Sequence, residues 1–294
     1  MKRFILLITV MALALTAFIA CENEKTNENG KEEQTLILGG IPDQNSAKLT
    51  ERFSELAAHI EEVTGIKTEY LPSADYSALV TGFGREEVHL GWFGGLTGVQ
   101  ARELVDGAEA IAHRPRDAQF ESVFIANKAL NVESLEDLKG LSFTFGSESS
   151  TSGHLMPRHF LLENGIDADK DFAGAPNYSG SHDKTWALVE AGSFDAGALN
   201  IAVWEAAVES GSVDLDKVDV FYTTPYYYDY NWTVGNVDEI FGQGTKDKIK
   251  EALLSFGEAN PEMMELFKDS SFVETNNANY DAIKAVAEAL GIIK

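Results

Sequence analysis

A single cysteine, Cys21, stands in 294 residues, so no disulfide can form within the chain. Basic residues are scarce as well: 23 Lys and Arg face 47 Asp and Glu, a net charge of −24 at pH 7. Nucleic-acid binding needs a basic footprint, and this balance excludes it. An anion bound by so acidic a chain must be held by a local field working against the global one. Familiar catalytic signatures are missing too. Gly-x-Ser-x-Gly, His-Glu-x-x-His, the P-loop and Gly-x-Gly-x-x-Gly do not occur, and His154 and His159 stand i, i+5, the wrong spacing for one helix face. These absences argue against an enzyme and against a resident cofactor or metal. After residue 34 there is no internal repeat or low-complexity block.

What is present begins with an address. Lys2 and Arg3 precede a run from Phe4 to Ala20 that is apolar save for Thr9 and Thr16, and Cys21 follows at once. A basic start, a short apolar stretch and a small residue before the break mark an export signal over residues 1–20. The run is at the short limit for crossing a bilayer, which favours a signal over a permanent anchor. Ala20-Cys21 resembles the bacterial lipobox, in which the cysteine is lipidated, although Phe18 stands where leucine is usual. Residues 21–34 carry no apolar side chain beyond Cys21 and read as a flexible tether. The expectation is a lipid-anchored domain on the extracytoplasmic, periplasmic side of the membrane.

The remainder reads as an α/β chain with ample core. Thr35 to Ile41 is a strand ending in Gly-Gly. Leu49, Phe53, Leu56, Ile60 and Val63 recur at steps of three and four, an amphipathic helix closed by Gly65. Strands at 66–71, 88–93 and 109–113 alternate with helices at 75–83, capped by Asp75, and 96–105. Such alternation predicts βα units and a largely parallel sheet. Phe120 to Ala126 is a further strand, 134–137 opens a short helix, and 141–145 is a strand feeding a helix over about 152–163. Pro157 inside that helix predicts a kink or a later start. Helices at 181–191 and 201–209, strands at 194–199 and 218–222, and a mainly helical end complete the reading.

One junction stands out. Phe143-Thr-Phe-Gly-Ser-Glu-Ser-Ser-Thr-Ser-Gly-His154 is strand, turn and helix start, with Ser150, Thr151 and Ser152 consecutive. A helix start offers unpaired N–H groups and the positive end of its dipole, and so attracts anions. Ser and Thr are equally favoured as ordinary caps, and local sequence leaves both readings open. Other polar or aromatic clusters follow the same rule of position: Asp75-Tyr76, Trp92-Phe93-Gly94-Gly95, Gly180-Ser-His182-Asp183 and Asn200 all lie at helix starts or strand ends. In open α/β sheets, ligands bind outside the carboxyl ends of strands.

These segments resemble the phosphate/phosphonate-type solute-binding proteins of bacterial ABC importers, over about Leu36 to Val234. The residues that carry the likeness are Asp75-Tyr76, Gly91-Trp-Phe-Gly94, Ser150-Thr-Ser-Gly153, Gly180-Ser-His-Asp183 and Phe194-Asp-Ala-Gly-Ala198. Gly94 to Arg102, Thr151 to Arg158 and Tyr227 to Val234 look like a branch commonly labelled selenate binders. The resemblance implies a type II periplasmic-binding fold, two α/β lobes joined by two crossover strands, for which 120–126 and 222–234 are candidates. Lobe one would be 35–119 with 231–294, and lobe two 120–230.

It also implies roles. Ser150, Thr151 and Ser152, with the N–H groups that run on through Gly153, would grip a small tetrahedral oxyanion. Tyr76 would donate from the opposite lobe, His182 would bond another oxygen, and Trp92 would stand near the ligand, with Asn200 and Asp229 as further candidates. Each has a plain alternative: Tyr76 a surface aromatic, Trp92 core, His182-Asp183 an ordinary helix-start pair, Tyr226 to Tyr230 a packed hinge. The implied partners are the ligand, a permease with its ATPase and the membrane lipid, with the protein itself a monomer and not an enzyme. A carboxylate in the pocket, Asp183 or Asp229, would accept from a protonated phosphorus oxyanion and repel one without a proton. A pocket of donors alone would favour selenate or sulfate. The remaining alternatives are a sensor receptor of the same fold and an exported hydrolase using His182.

Overall fold

A computed structural model describes residues 34–293. The signal segment 1–20, Cys21 and the tether up to residue 33 lie outside the described residues. Among the described residues no helix is long and apolar enough to cross a membrane.

The chain first lays down β1 (Leu36–Gly40), β2 (Thr68–Pro72), β3 (Leu90–Phe93) and β4 (Glu109–His113). It then builds β5 (Ser122–Asn127), β6 (Phe143–Phe145), β7 (Asn177–Tyr178), β8 (Ala196–Asn200) and β9 (Val218–Thr223), and returns as β10 (Asn231–Val234) and β11 (Val273–Glu274). Two sheets result, ordered β11-β4-β10-β3-β1-β2 and β7-β6-β8-β5-β9. The βα alternation gives parallel pairing where it operates, β1 with β2 and β3, and β6 with β7 and β8. Returning strands depart from it: β10 inserts antiparallel between β3 and β4, and β5 pairs antiparallel with β8 and β9. A strand that comes back from the other sheet enters from the opposite end, so it runs against its neighbours. The expected largely parallel arrangement is therefore mixed in both sheets.

Side-chain alternation places the cores. In β5, Phe124 and Ala126 face one cluster with Phe143, Phe145 and Leu161, while Val123 and Ile125 face another with Val189, Leu199 and Val218. The helix Ser46–Thr64 buries Leu49, Phe53, Leu56 and Ile60 against the first sheet, with Val63 half-buried. It also buries Arg52, whose guanidinium lies 4.7 Å from the Phe53 ring centroid and 3.6 Å from Asp43 Oδ1.

The chain crosses between the sheets through 114–121 and again through 224–230. These two segments meet at Phe120 and Tyr227, which exchange N–H···O bonds of 2.9 and 3.0 Å, and at Asp117, whose carbonyl accepts the Asp229 N–H at 3.1 Å. Beside them Arg114 is buried with its Nε 2.8 Å and Nη2 2.6 Å from the two oxygens of Asp117, and its guanidinium 4.9 Å from the Tyr230 ring centroid. Burial alone would lower the Arg114 pKa, and the Asp117 carboxylate more than reverses it. Tyr227 and Tyr230 pack into this junction, while Tyr226 stays exposed.

Candidate functional site

The strand–turn–helix junction is built as a π turn, Thr151–Leu155, followed by an α-helix, Met156–Glu163. Pro157 explains the join. It falls in the first turn of the regular helix, where a missing N–H costs nothing. The later start anticipated from Pro157 is what forms, and the wider turn before it carries the hydroxyls. Ser150 caps it, its Oγ accepting the Gly153 N–H at 2.9 Å, which leaves the Ser150 hydroxyl proton free to donate. Ser150 to Gly153 are all buried.

A cross-sheet contact fixes this turn. Thr151 Oγ1 accepts the Leu96 N–H at 2.9 Å, so it fills one of the open N–H groups at the start of helix Gly95–Leu104. Asp229 Oδ1 takes the adjacent one, from Gly95, also at 2.9 Å. Ser152 offers its carbonyl to the Ser122 hydroxyl at 2.7 Å, and Ser122 is itself 2.6 Å from the Tyr227 hydroxyl. Gly153 must be glycine for space: a Cβ there would lie 2.9 Å from His182 Cε1 and 2.9 Å from Ser150 Oγ.

Around this enclosure Asp43 Oδ1 has no hydrogen bond and only the Arg52 guanidinium at 3.6 Å, and two further polar atoms are left without a hydrogen-bond partner, Tyr76 Oη and Asp229 Oδ2. Both residues are 1% exposed. Tyr76 sits at the start of helix Tyr76–Gly84, whose cap Asp75 accepts the Ala78 N–H at 2.7 Å. Its phenol lies beside Ser150 without a bond of good geometry, and burial first, then Asp43 and Asp229, push it well above the usual tyrosine range. Burial also drives the Asp229 carboxyl up to about 7, against the opposing pull of the Gly95 N–H and the Ser152 hydroxyl. A buried donor and a buried acceptor, both unpaired, mark where a missing molecule would bond.

His182 is fully buried and closes another side. Its Nδ1 accepts the Asn200 N–H at 3.3 Å, so the proton is on Nε2, which faces the Tyr230 hydroxyl at 3.5 Å. Burial holds its pKa down at about 4, so it is a neutral donor at pH 7. Asp183 is only half-buried at this helix start, and its Oδ1 takes both the hydroxyl of Ser181 and the N–H of Lys184. Asn200 spends both ends of its amide within the protein, on Tyr230 Oη at 2.7 Å and the Val203 N–H at 2.6 Å. Trp92 is a backing residue. Its ring stacks on Tyr230 at 5.4 Å and packs against Trp232, Phe267 and Phe272 in the core. Tyr76, Ser150 to Gly153, His182 and Asp229 thus gather, with Asn200 and Trp92 one layer behind.

Sequence reasoning missed Asp43 and Tyr230. The Asp43 carbonyl accepts the His182 N–H at 3.0 Å and its Oδ2 accepts the Tyr230 hydroxyl at 2.9 Å, which links the first sheet to the second. The available signal was position: Asp43 follows Gly39-Gly40 at the carboxyl end of β1, like the clusters at the ends of the other strands.

His154 pins the back of the π turn. Its Nδ1–H donates to the Glu148 carbonyl at 2.7 Å and its Nε2 accepts from Arg158 Nε at 3.0 Å. Burial lowers its pKa to about 4. An unfolded histidine titrates near 6.5, so below that pH the unfolded chain takes up a proton that the folded one refuses. Stability from this group is complete above pH 6.5 and is lost as pH falls through 4, at about 1.4 kcal/mol per pH unit. Replacing His154 by Gln is expected to flatten the stability–pH curve by that slope between 6.5 and 4, checked by urea unfolding at a series of pH values.

The profile of the family described as ABC transporter, phosphonate, periplasmic substrate-binding protein matches residues 38–280. The chain is 38% identical over 272 residues to a probable ABC transporter phosphite binding protein, PhnD1, of Prochlorococcus marinus, covering 89% of this chain and 91% of that protein. The solved structure of that PhnD1 in complex with methylphosphonate superposes with a TM-score of 0.85, covering 89% of this chain and 100% of the other. The phosphate-import protein PhnD of Mycolicibacterium smegmatis is 24% identical over 288 residues, covering 88% of this chain and 86% of its own length. A binding-protein component of an ABC phosphonate transporter from Pseudomonas aeruginosa shares the fold, with a TM-score of 0.77 at 20% identity, over 87% of this chain and 86% of that one.

Proposed function

This chain belongs to the phosphonate-binding family of ABC-transporter periplasmic substrate-binding proteins, and on that premise we propose that it captures a small protonated phosphorus oxyanion, of the phosphite or methylphosphonate class, for import. The observation that carries the reading is the unpaired Asp229 Oδ2 set among donors. Ser150 and Thr151 hydroxyls, the N–H groups of the π turn, Tyr76 Oη and His182 Nε2–H supply hydrogen-bond donors to a tetrahedral anion. Asp229 supplies one acceptor. A phosphorus oxyanion with an O–H satisfies both kinds, whereas selenate and sulfate bring only acceptors and meet the carboxylate with repulsion.

Neutral donors suit this protein. With a net charge of −24 and no basic side chain among these donors, affinity comes from aligned hydrogen bonds in a dry enclosure. Capture would proceed by closure of two lobes, residues 35–119 with 231–294 against 120–230, the crossings at 114–121 and 224–230 serving as hinges. The same reading has the protein act as a monomeric carrier without cofactor or catalysis, tethered through lipidated Cys21 and passing its ligand to a permease and ATPase. Titration of the purified protein with phosphite, methylphosphonate, phosphate, selenate and sulfate, followed by tryptophan fluorescence, tests it. Phosphorus oxyanions are expected to bind at least a hundredfold tighter than selenate or sulfate. The reverse order would replace this reading with that of a selenate receptor.

A further inference from the structure

The oxyanion enclosure is bounded on one side by three side chains that bond to one another. The Tyr230 hydroxyl donates to Asp43 Oδ2 at 2.9 Å and accepts from Asn200 Nδ2 at 2.7 Å. All three residues are buried, and Trp92 stacks behind the Tyr230 ring. Tyr230 is a neighbour of the enclosure itself, its hydroxyl 3.5 Å from His182 Nε2, and burial beside the Asp43 carboxylate keeps its phenol protonated. On the far side lies a cavity of about 410 Å³, and the same Asp43, Asn200 and Tyr230 help to line it. Ala202, Val203 and Ala206 form its apolar flank.

We propose that the Tyr230–Asn200–Asp43 wall is a size filter, which limits the bound phosphorus oxyanion to one with no substituent or one as small as methyl. The filter rests on the oxyanion reading given above and names the substrate class within it. A longer substituent leaving the enclosure on this side meets the Tyr230 ring. To pass, it must break two buried hydrogen bonds and leave Asp43 Oδ2 and the Asn200 amide unpaired, a penalty that falls only on the larger ligand. The 410 Å³ beyond the wall is ample for a short alkyl chain, which could lie along Ala202, Val203 and Ala206 although charged side chains such as Lys48, Arg52 and Glu209 line the rest. Discrimination therefore comes from a wall held shut, and not from lack of space.

Asn200→Ser tests the wall with little cost to the fold, because Ser retains an oxygen to cap helix Ile201–Glu209 while losing the amide that holds Tyr230. Tyr230→Phe is the second variant, keeping the ring and removing both wall hydrogen bonds. Calorimetry would compare methyl-, ethyl- and n-butylphosphonate on each full-length protein. The wild type is expected to bind butylphosphonate at least thirtyfold more weakly than methylphosphonate, and each variant to narrow that ratio at least tenfold. Adding Ala206→Phe to Asn200→Ser, which fills the cavity, is expected to restore the ratio. Equal binding of methyl- and butylphosphonate by the wild type, or an unchanged ratio in both variants, would overturn the filter while leaving the oxyanion reading intact. A wild type that binds neither phosphite nor a phosphonate of any size overturns both.

Discussion

Asp229→Asn is expected to abolish useful binding of phosphite and methylphosphonate, with at least a hundredfold loss of affinity, while binding of selenate or sulfate is unchanged or improved. The substitution is nearly isosteric. The Oδ1 bond to the Gly95 N–H survives, and only the unpaired Oδ2 changes, from an acceptor to an amide donor. An O–H on the ligand then meets an N–H and has nowhere to donate. Removing one partner of a buried, charge-assisted hydrogen bond costs about 2–5 kcal/mol, and 1.4 kcal/mol is tenfold in affinity. A fully deprotonated anion gains a donor in the same place, so the order of preference should compress or invert.

The same variant carries a second, opposite signature. In the ligand-free protein burial raises the Asp229 carboxyl to about 7, while in the unfolded chain it titrates near 4. A group raised in this way leaves stability intact below pH 4 and drains it as pH climbs through 7, because the folded state must surrender a proton it prefers to hold. Asparagine removes the burden. The variant without ligand should therefore be more stable than the wild type at pH 8, by at most about 4 kcal/mol, with the gain disappearing below pH 4. Urea unfolding at both pH values checks this. A protein that is firmer yet no longer binds would separate loss of function from loss of fold.

Gly94→Ala is expected to weaken ligand binding ten- to a hundredfold. The backbone there, φ −75° and ψ 169°, suits alanine without strain. The obstacle lies across the interface: the new Cβ would stand 3.0 Å from Thr151 Oγ1 and 3.2 Å from Asp229 Oδ1. Those two atoms accept the Leu96 and Gly95 N–H groups that join the first-sheet helix to the π turn and the crossing segment. Pushing them back by a few tenths of an ångström lengthens both bonds together, and each is worth about 1 kcal/mol. An open form would spare the methyl group this clash, so the cost falls on closure. Small-angle scattering with and without methylphosphonate should show a smaller contraction in the variant.

Local features were readable from the sequence because local physics sets them. The periodic apolar face of Ser46–Thr64, the cap at Asp75 and the late helix start at Pro157 all follow from short-range rules. The crowding of Ser150, Thr151 and Ser152 at one helix start was likewise visible. What could not be read depends on which distant segments meet. Nothing near Asn231 announces that β10 slots antiparallel between β3 and β4. Arg52 stands beside Phe53 on the helix as an ordinary charged residue, and only the closure of Phe267 and Asp43 around it makes it a buried cation. Asp43 and Tyr230 belong to the site through each other and His182, over separations no motif spans. The aromatic run at 226–230 divides by packing rather than by composition: Tyr226 is exposed while Tyr230, four residues on, carries the wall.

The most direct test of the oxyanion site is a crystal structure with methylphosphonate. The phosphorus oxyanion is expected against the π turn at Ser150–Gly153 and Tyr76 Oη, with one ligand oxygen in a short contact, about 2.5–2.7 Å, to Asp229 Oδ2. A phosphonate found instead in the cavity beyond Tyr230, or in the enclosure but turned away from Asp229, would contradict this placement.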